Sequence, residues 1–511
     1  MAVPTVQIVA IGTPPPPIQK RGGLFLKLEE RTIKLLSNSA LEPVDINELL
    51  AELEGTTVYS GPSVDAVLKG MMEQRPDVIL SFVPMKDLPA MDGAVAFWEY
   101  GFSGHGLRPN GAPGIQGISL NGSEIGTQIL QEGRTLISVP FSARDDFDQP
   151  SLDAVLYGAA WLPSALAARS GTAATTTETK TSSNVHYIPD GQSSMTHVLR
   201  SWGTMEFRLI GKGDRKKAVL GEWNIGVLHQ PISALLEDGS STNIRWLPSP
   251  SDGNHRLEPF GYYAADGQLN VLYTKIHRER EHDEIARLRP KSDSVLKRSR
   301  SMLTTSRSLS YPYVVTRPDG IFALINYPHQ DRLDLFKVAD TNDRTDHIKT
   351  LLNRPLCNPT SFEFEGRWWL FGTDPGAPDA VLLAFYSDQF DGHYTAHPAN
   401  PLKLATTGTK PAGTPFVHEG TLWRPAADRT ESGVECVVLN RVIRLTTNEF
   451  EEEPGKRIEG FRGTIYGKGI RTVCAMGDIT LIDGSRGGAP EKQPERSSER
   501  RHKGRHKKER K

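Results

Sequence analysis

The clearest pattern in the chain is an alternation of apolar and polar residues that stops at an acidic residue plus glycine and then resumes. Asn358 to Asp374 (NPTSFEFEGRWWLFGTD) shows it, as do Glu258 to Tyr273 (EPFGYYAADGQLNVLY), Tyr311 to Ile325 (YPYVVTRPDGIFALI) and Gly413 to Pro425 (GTPFVHEGTLWRP). Alternation with period two puts one face of a strand in a core. Asp-Gly or Glu-Gly between two such runs predicts a tight hairpin, because glycine accepts the positive φ these turns require. The turn glycines Gly267, Gly320, Gly366 and Gly420 lie 53, 46 and 54 residues apart. Repeats of roughly 40–50 residues, each with several short strands, predict a β-propeller with one four-stranded sheet per blade. Trp368, Trp369, Phe371 and Trp423 are then expected between blades, where large aromatic side chains fill the wedge; the alternative is a stacking platform for a sugar.

Before residue 170 the pattern differs. Val6 to Gly12 (VQIVAIG) and Asp77 to Pro84 (DVILSFVP) read as buried strands, whereas DINELLAELEG and SVDAVLKGMMEQ have helical spacing. Strands alternating with helices predict an α/β unit with a partly parallel sheet. SLDAVLYGAAWLPSALAARS (Ser151 to Ser170) predicts one amphipathic helix that closes this unit. The expected organisation is an α/β domain over 1–170, a polar linker over 171–185, a five-bladed propeller over 186–484 and a basic tail over 485–511. The fifth blade should join a strand near Ser201 to Leu228, from HVLRSWGTMEFRLIG or EWNIGVL, to the last strands near Gly463 to Ile482. That closure leaves no free sheet edge. HREREHDEIARLRPKSDSVLKRSRS interrupts the strand pattern with charge and is expected as an exposed excursion within one blade.

Composition narrows the functional classes. A formal net charge of -1 over 511 residues gives no general attraction to nucleic acid or membrane. The segment Glu491 to Lys511 carries ten Lys or Arg against four Glu. It holds too little apolar surface to order itself, and no aromatic residue is interleaved for base stacking. A solvated tail is expected, with nuclear import or RNA contact as alternatives. Cys357, Cys436 and Cys474 are too scattered for a disulfide framework or a zinc cluster. The apolar start is cut by four prolines and does not read as a signal peptide, and no run has transmembrane length. A cytoplasmic protein is the expectation, with nuclear entry through the tail as the alternative.

The motifs between Ser201 and Gly484 go further than their period. EWNIGVLHQPI, IRWLPSPSDGNHRLEPFGYYAADGQL, LSYPYVVTRPDG, NPTSFEFEGRWWLFGTD and HPANPLKL with PAGTPFVHEGTLWRPAAD resemble, in order, a family of five-bladed propellers. That family includes the N-terminal region of plant glucosamine inositolphosphorylceramide transferases, and in shape it is similar to the propellers of arabinanases and invertases. The resemblance implies a polar central funnel lined by Glu258, Tyr311, Asn358, Asp428 and Arg471, suited to a small-molecule or glycan ligand. Relatives carry Asp-Pro-Phe where this chain has Glu258-Pro259-Phe260, Asp-Pro where it has Asn358-Pro359, and His-Thr where it has Arg471-Thr472. Glycoside hydrolysis needs two carboxylates across the scissile bond. An amide at Asn358 disfavours it. The structural alternative for each of these residues is a blade-start position that satisfies backbone groups.

Tyr100 to Ile137 (YGFSGHGLRPNGAPGIQGISLNGSEIGTQILQEGRTLI) resembles the core of formyltransferases that act on amines with formyl-tetrahydrofolate. His105 matches the family histidine, Gly111-Ala112-Pro113 the turn before a helix, and Asn121-Gly122 with Glu124-Ile125-Gly126 the next strand. The family asparagine is Ser103 here, and Glu132 stands nearest its aspartate. The resemblance implies that His105, helped by Ser103, polarises a formyl carbonyl while Glu132 or a water takes the amine proton. Three readings follow: transfer of a formyl or related acyl group to an amine of a sugar-like or natural-product acceptor; a non-catalytic propeller that binds a glycan or partner beside a decayed transferase domain; or unnamed chemistry inside the funnel.

Overall fold

A computed structural model describes residues 10–13, 57–60, 63–81, 95–102, 105–106, 124–132, 134–142, 151–170, 222–237, 243–250, 253–277, 282–290, 300–327, 330–339, 344–430 and 434–486. The expected helix DINELLAELEG, the polar linker, the stretch from His186 to Ile210, Ser103 and the basic run from Glu491 lie outside these residues.

In the first unit β1 (Ala10–Thr13) pairs in parallel with β2 (Thr57–Ser60), and α1 (Val64–Met72) packs on both. The Ser63 hydroxyl caps α1 by accepting the Ala66 N–H at 3.2 Å. A second sheet runs β3 (Val78–Ser81), β4 (Ala96–Phe102), β6 (Glu124–Gln131) and β7 (Arg134–Ser142), with the two-residue β5 (His105–Gly106) on β4. Among the described strands β3 and β4 pair in parallel and the others antiparallel, so the strand pairing is mixed. The one helix expected over 151–170 is two, α2 (Ser151–Ala160) and α3 (Leu162–Ser170), which pack on β6 and β7. Pro163 explains the break. A proline lacks an N–H and clashes with the preceding turn, so it is tolerated only in the first turn of a new helix.

Beyond residue 222, β8 (Trp223–Leu228) and β9 (Ile244–Trp246) precede four complete antiparallel sheets. Sheet 1 holds β10 (His255–Tyr263), β11 (Leu269–Ile276), β12 (Glu284–Leu288) and β13 (Arg300–Leu303). Sheet 2 holds β14 (Ser310–Arg317), β15 (Gly320–Asn326), β16 (Leu333–Val338) and β17 (Thr345–Leu352). Sheet 3 has β18 (Cys357–Phe364), β19 (Arg367–Thr373), β20 (Val381–Ser387), β21 (Thr395–Ala396) and β22 (Lys403–Leu404). Sheet 4 has β23 (Phe416–His418), β24 (Thr421–Arg429), β25 (Glu435–Leu445), β26 (Phe450–Glu453) and β27 (Arg457–Ile458). Sheet 5 is made of β28 (Val473–Met476) and β29 (Ile479–Ser485), completed by β8 and β9 from the start of the region.

The pairing of β29 with β8, from Thr480–Leu228 to Ser485–Trp223, closes a propeller-like ring. The β8 strand comes from EWNIGVL, one of the two stretches expected to serve. Sheet 1 packs on sheets 5 and 2, and sheet 2 on sheet 3. Phe362, Trp369 and Phe371 of sheet 3 share a core with Leu422 and Val442 of sheet 4. Sheet 4 meets sheet 5 where Gly413 bridges Val473; a Cβ there would lie 1.8 Å from the Val473 carbonyl oxygen, so only glycine fits. All four predicted hairpins form, their glycines at φ +74°, +149°, +71° and +74°. Trp369 and Phe371 are buried, while Trp368 and Trp423 pack against core clusters half-buried. One expectation fails within sheet 1. The charged excursion contains β12, all five of whose residues are buried. Its charges find partners: within sheet 1 Glu284 accepts from Ser301 at 3.0 Å and lies 3.1 Å from His277, and Arg287 donates to the Tyr262 hydroxyl at 3.2 Å and, across to sheet 2, to the Ala339 carbonyl after β16 at 3.0 Å.

Candidate functional site

Glu258, Tyr311 and Asn358 occupy one equivalent position on the first strands of sheets 1, 2 and 3. Each precedes a proline, each has left-handed φ (53°, 51° and 49°), and the ladder slips at each, between Leu257 and Phe260, Ser310 and Tyr313, and Cys357 and Thr360. Proline cannot donate to a ladder, so the strand bulges around it. A left-handed non-glycine residue costs on the order of 1–3 kcal/mol and persists only where its surroundings fix it. Here they do. The Glu258 N–H donates to Asp483 Oδ2 at 2.9 Å; the Tyr311 N–H donates to Glu258 Oε2 at 2.7 Å and Thr274 Oγ1 at 3.0 Å. The Gly413 N–H donates to the Tyr311 hydroxyl at 2.8 Å, which lies 3.1 Å from Thr360 Oγ1, and Thr360 donates to the Asn358 carbonyl at 3.1 Å. Asn358 Nδ2 donates to the Pro411 carbonyl at 2.7 Å. These bonds form a belt through all five sheets.

Asp483, wholly buried within β29, anchors the belt. Besides the Glu258 N–H it accepts those of Arg471 at 2.8 Å and Thr472 at 2.9 Å. Burial pushes its pKa up to about 6, outweighing the three N–H donors that favour the ionised form. Burial likewise pushes the Tyr311 hydroxyl well above its ordinary range, so it serves as a neutral hydrogen-bonding group.

Charge gathers beside the belt. Lys410 Nζ lies 3.2 Å from Asp379 Oδ1, and Arg471 Nε lies 2.7 Å from Glu435 Oε2 with its guanidinium 5.6 Å from the Trp223 ring. Burial lowers the Lys410 pKa, but Asp379, Cys357 and Glu258 outweigh burial and the repulsion of Arg471, so Lys410 is held above its ordinary value. Burial raises Asp379, and Lys410, Arg429 and Arg471 overcome it, holding the carboxyl low. Both side chains still meet solvent, at 28% and 47% exposure, so the pair adds little stability and stays reachable. The cluster gathers an ammonium, a guanidinium and carboxylates beside the belt. That set can hydrogen-bond a hydroxyl-rich ligand. It offers no second carboxylate at Asn358, and the Glu258 carboxylate is engaged by Thr274 at 2.6 Å.

Of the residues read from sequence, Glu258, Tyr311, Asn358 and Arg471 come together. Asp428 does not join them: its Oδ2 is 2.7 Å from Arg457, and it lines a separate cavity of about 150 Å³ with Lys403, Gly408, Val438 and Asn440. Lys410, Asp379 and Asp483 belong to the cluster and went unread. They sit in GTKPAG, GAPDAV and LIDGS, which carry no motif. In the first unit, His105 pairs through its backbone with Phe102, which pairs with Thr127. Glu132 forms the β6–β7 turn with φ 52° and is exposed, another Glu-Gly hairpin. It lies just past β6, five residues from the Thr127 end of that register and on the order of 16 Å away at strand rise, so the backbones of His105 and Glu132 do not meet.

Comparison with known proteins identifies likenesses in the ring. Residues 253–459 match the family model described as glucosamine inositolphosphorylceramide transferase 1, N-terminal. The protein of that name from Oryza sativa subsp. japonica is 28% identical over 152 residues, covering 29% of this chain and 20% of the relative. Its Arabidopsis thaliana counterpart is 25% identical over 150 residues, covering 28% and 20%. The chain thus spans about a fifth of the length of these relatives. Among solved structures, the α-L-arabinofuranosidase of Podospora anserina in complex with cellotriose aligns with TM-score 0.36 and 11% identity, covering 51% of this chain and 85% of that one. The Cellvibrio cellulosa α-L-arabinanase complexed with arabinohexaose aligns with TM-score 0.30 and 12% identity, covering 39% and 77%. The resemblance to the plant transferase family is therefore borne out over the matched residues.

Proposed function

We propose that this chain acts in sugar transfer, and that its ring is a five-bladed propeller whose funnel holds a hydroxyl-rich glycan or amino-sugar. The observation that carries this reading is the juxtaposition of Glu258, Lys410, Asp379 and Arg471 beside a belt of bonds that reaches every sheet. Charged groups paired in geometries fixed by backbone bonds are pre-organised for a polar ligand, which then loses little on ordering them. The likeness to glucosamine inositolphosphorylceramide transferases supports the sugar class. The amide at Asn358 and the engaged carboxylate of Glu258 favour holding a sugar over cleaving a glycosidic bond. Formyl transfer by the first unit rests on the likeness of Tyr100 to Ile137 alone; formyl-tetrahydrofolate would have to raise the thermal midpoint of the wild type and not of His105→Ala.

The test is a binding panel of amino-sugars and neutral glycans against the wild type, Lys410→Met and Glu258→Gln. Binding by the wild type with at least a tenfold loss in Lys410→Met is expected, the usual scale for one charge-assisted hydrogen bond. Binding unchanged in both variants would contradict the funnel.

A further inference from the structure

The loop between β19 and β20 reaches two ways. At one end Asp379 meets Lys410. At the other it meets the first unit. The Trp161 ring, at the junction of α2 and α3, lies 5.7 Å from the Arg354 guanidinium. Arg354 Nη2 in turn lies 3.1 Å from Asp374 Oδ2. Asp374 governs the loop: its Oδ1 accepts the Gly376 N–H at 2.9 Å and its carbonyl the Ala377 N–H at 3.0 Å, and Ala377 then accepts from Ala380 at 3.0 Å. Tyr157 of α2 stands against Gly376, where a Cβ would meet its ring carbon at 2.6 Å, so the helix leaves no room for the loop to shift. Ala377 and Ala380 are buried in the same cluster as Leu162 and Ala165 of α3.

We propose that Trp161 is a positioning residue for the funnel: through Arg354 and Asp374 it fixes the loop that carries Asp379, and so sets the pairing of Lys410. The first unit then conditions the sugar site without touching its ligand. A cation over an indole face is attracted by the ring quadrupole, and the Arg354 fork is thereby aimed at Asp374 rather than at solvent. The consequence for sugar binding rests on the function proposed above, whereas the experiment reads Lys410 itself. Failure of one is therefore distinguishable from failure of the other.

Lys410 faces Asp379, Cys357, Arg471 and Glu258, and Asp379 also faces Arg429. The experiment is an NMR titration of the Lys410 side-chain amine in the full chain. Variants are Trp161→Ala, Trp161→Phe, Asp379→Asn and the control Leu68→Ala, which opens the buried face of α1, outside the cluster that holds Leu162, Ala377 and Ala380. The expected result is a downward shift of the Lys410 midpoint in Asp379→Asn and, in the same direction, in Trp161→Ala. Trp161→Phe should restore it in part, and Leu68→Ala should leave it unmoved while lowering the thermal midpoint. A Lys410 midpoint unchanged in Trp161→Ala, unchanged in Asp379→Asn, or shifted equally by Leu68→Ala would overturn the proposal.

Discussion

Tyr311 concentrates the chemistry of the ring in one side chain. Its N–H is turned out of the ladder by the bulge at Pro312 and taken up by Glu258, and its hydroxyl accepts from Gly413 two sheets away. Tyr311→Phe keeps the ring but leaves the buried Gly413 N–H without its acceptor. A loss of about 1–3 kcal/mol in denaturant unfolding is expected; a loss below a few tenths would mean that the belt is ornamental. Asp483 makes a second prediction. Its folded pKa, about 6, exceeds the ordinary value of 3.8. The fold therefore favours the protonated form, and this contribution is complete below about pH 4 and lost as pH rises through 6. The stability of the wild type relative to Asp483→Asn should fall by roughly 2–3 kcal/mol between pH 4 and pH 7. A flat difference would contradict it. Glu258, Tyr311 and Asn358 were legible because each precedes a proline at the head of a strand. Asp379, Lys410 and Asp483 were not, because two loops and a strand far apart in sequence bring them together, and no local pattern marks such a meeting.

Sheet 4 carries its own stake in charge. Arg424 is 2% exposed and grips Glu452 with two bonds, Nε to Oε2 at 2.9 Å and Nη2 to Oε1 at 2.7 Å, while Lys403 lies 2.9 Å from the same carboxylate. Glu452→Gln strands a buried guanidinium and should cost about 3–5 kcal/mol, measured by chemical unfolding. Burial raises the Glu452 pKa, but Arg424 and Lys403 outweigh it and hold the carboxyl below its ordinary range. The stabilisation is then present above about pH 4.5 and lost as pH falls through the lowered folded value, so the variant should show less acid destabilisation than the wild type. At this scale the hairpins were plain in the sequence, since Glu-Gly and Asp-Gly fix a turn within four residues. Strand β12 was hidden because its Glu284 and Arg287 are charged, and only partners on neighbouring strands make their burial tolerable.

For the molecule as a whole, closure of the ring is the organising event. Trp223 and Arg471 come from opposite ends of the ring sequence and meet at 5.6 Å, as the pairing of β8 with β29 requires. The order of repeats made such a closure readable, because a ring leaves no exposed edge. The mixed sheet of the first unit and its seat against the β19–β20 loop were not readable, since they depend on which faces meet. The central claim is that the cluster of Glu258, Lys410, Asp379 and Arg471 holds a sugar. A crystal structure of the chain with the best-binding member of the glycan panel tests it most directly. The account predicts sugar hydroxyls within hydrogen-bond distance of Lys410 and Arg471. A sugar seated beside His105, or in the cavity of Asp428 and Asn440 with none at Lys410 and Arg471, would contradict it.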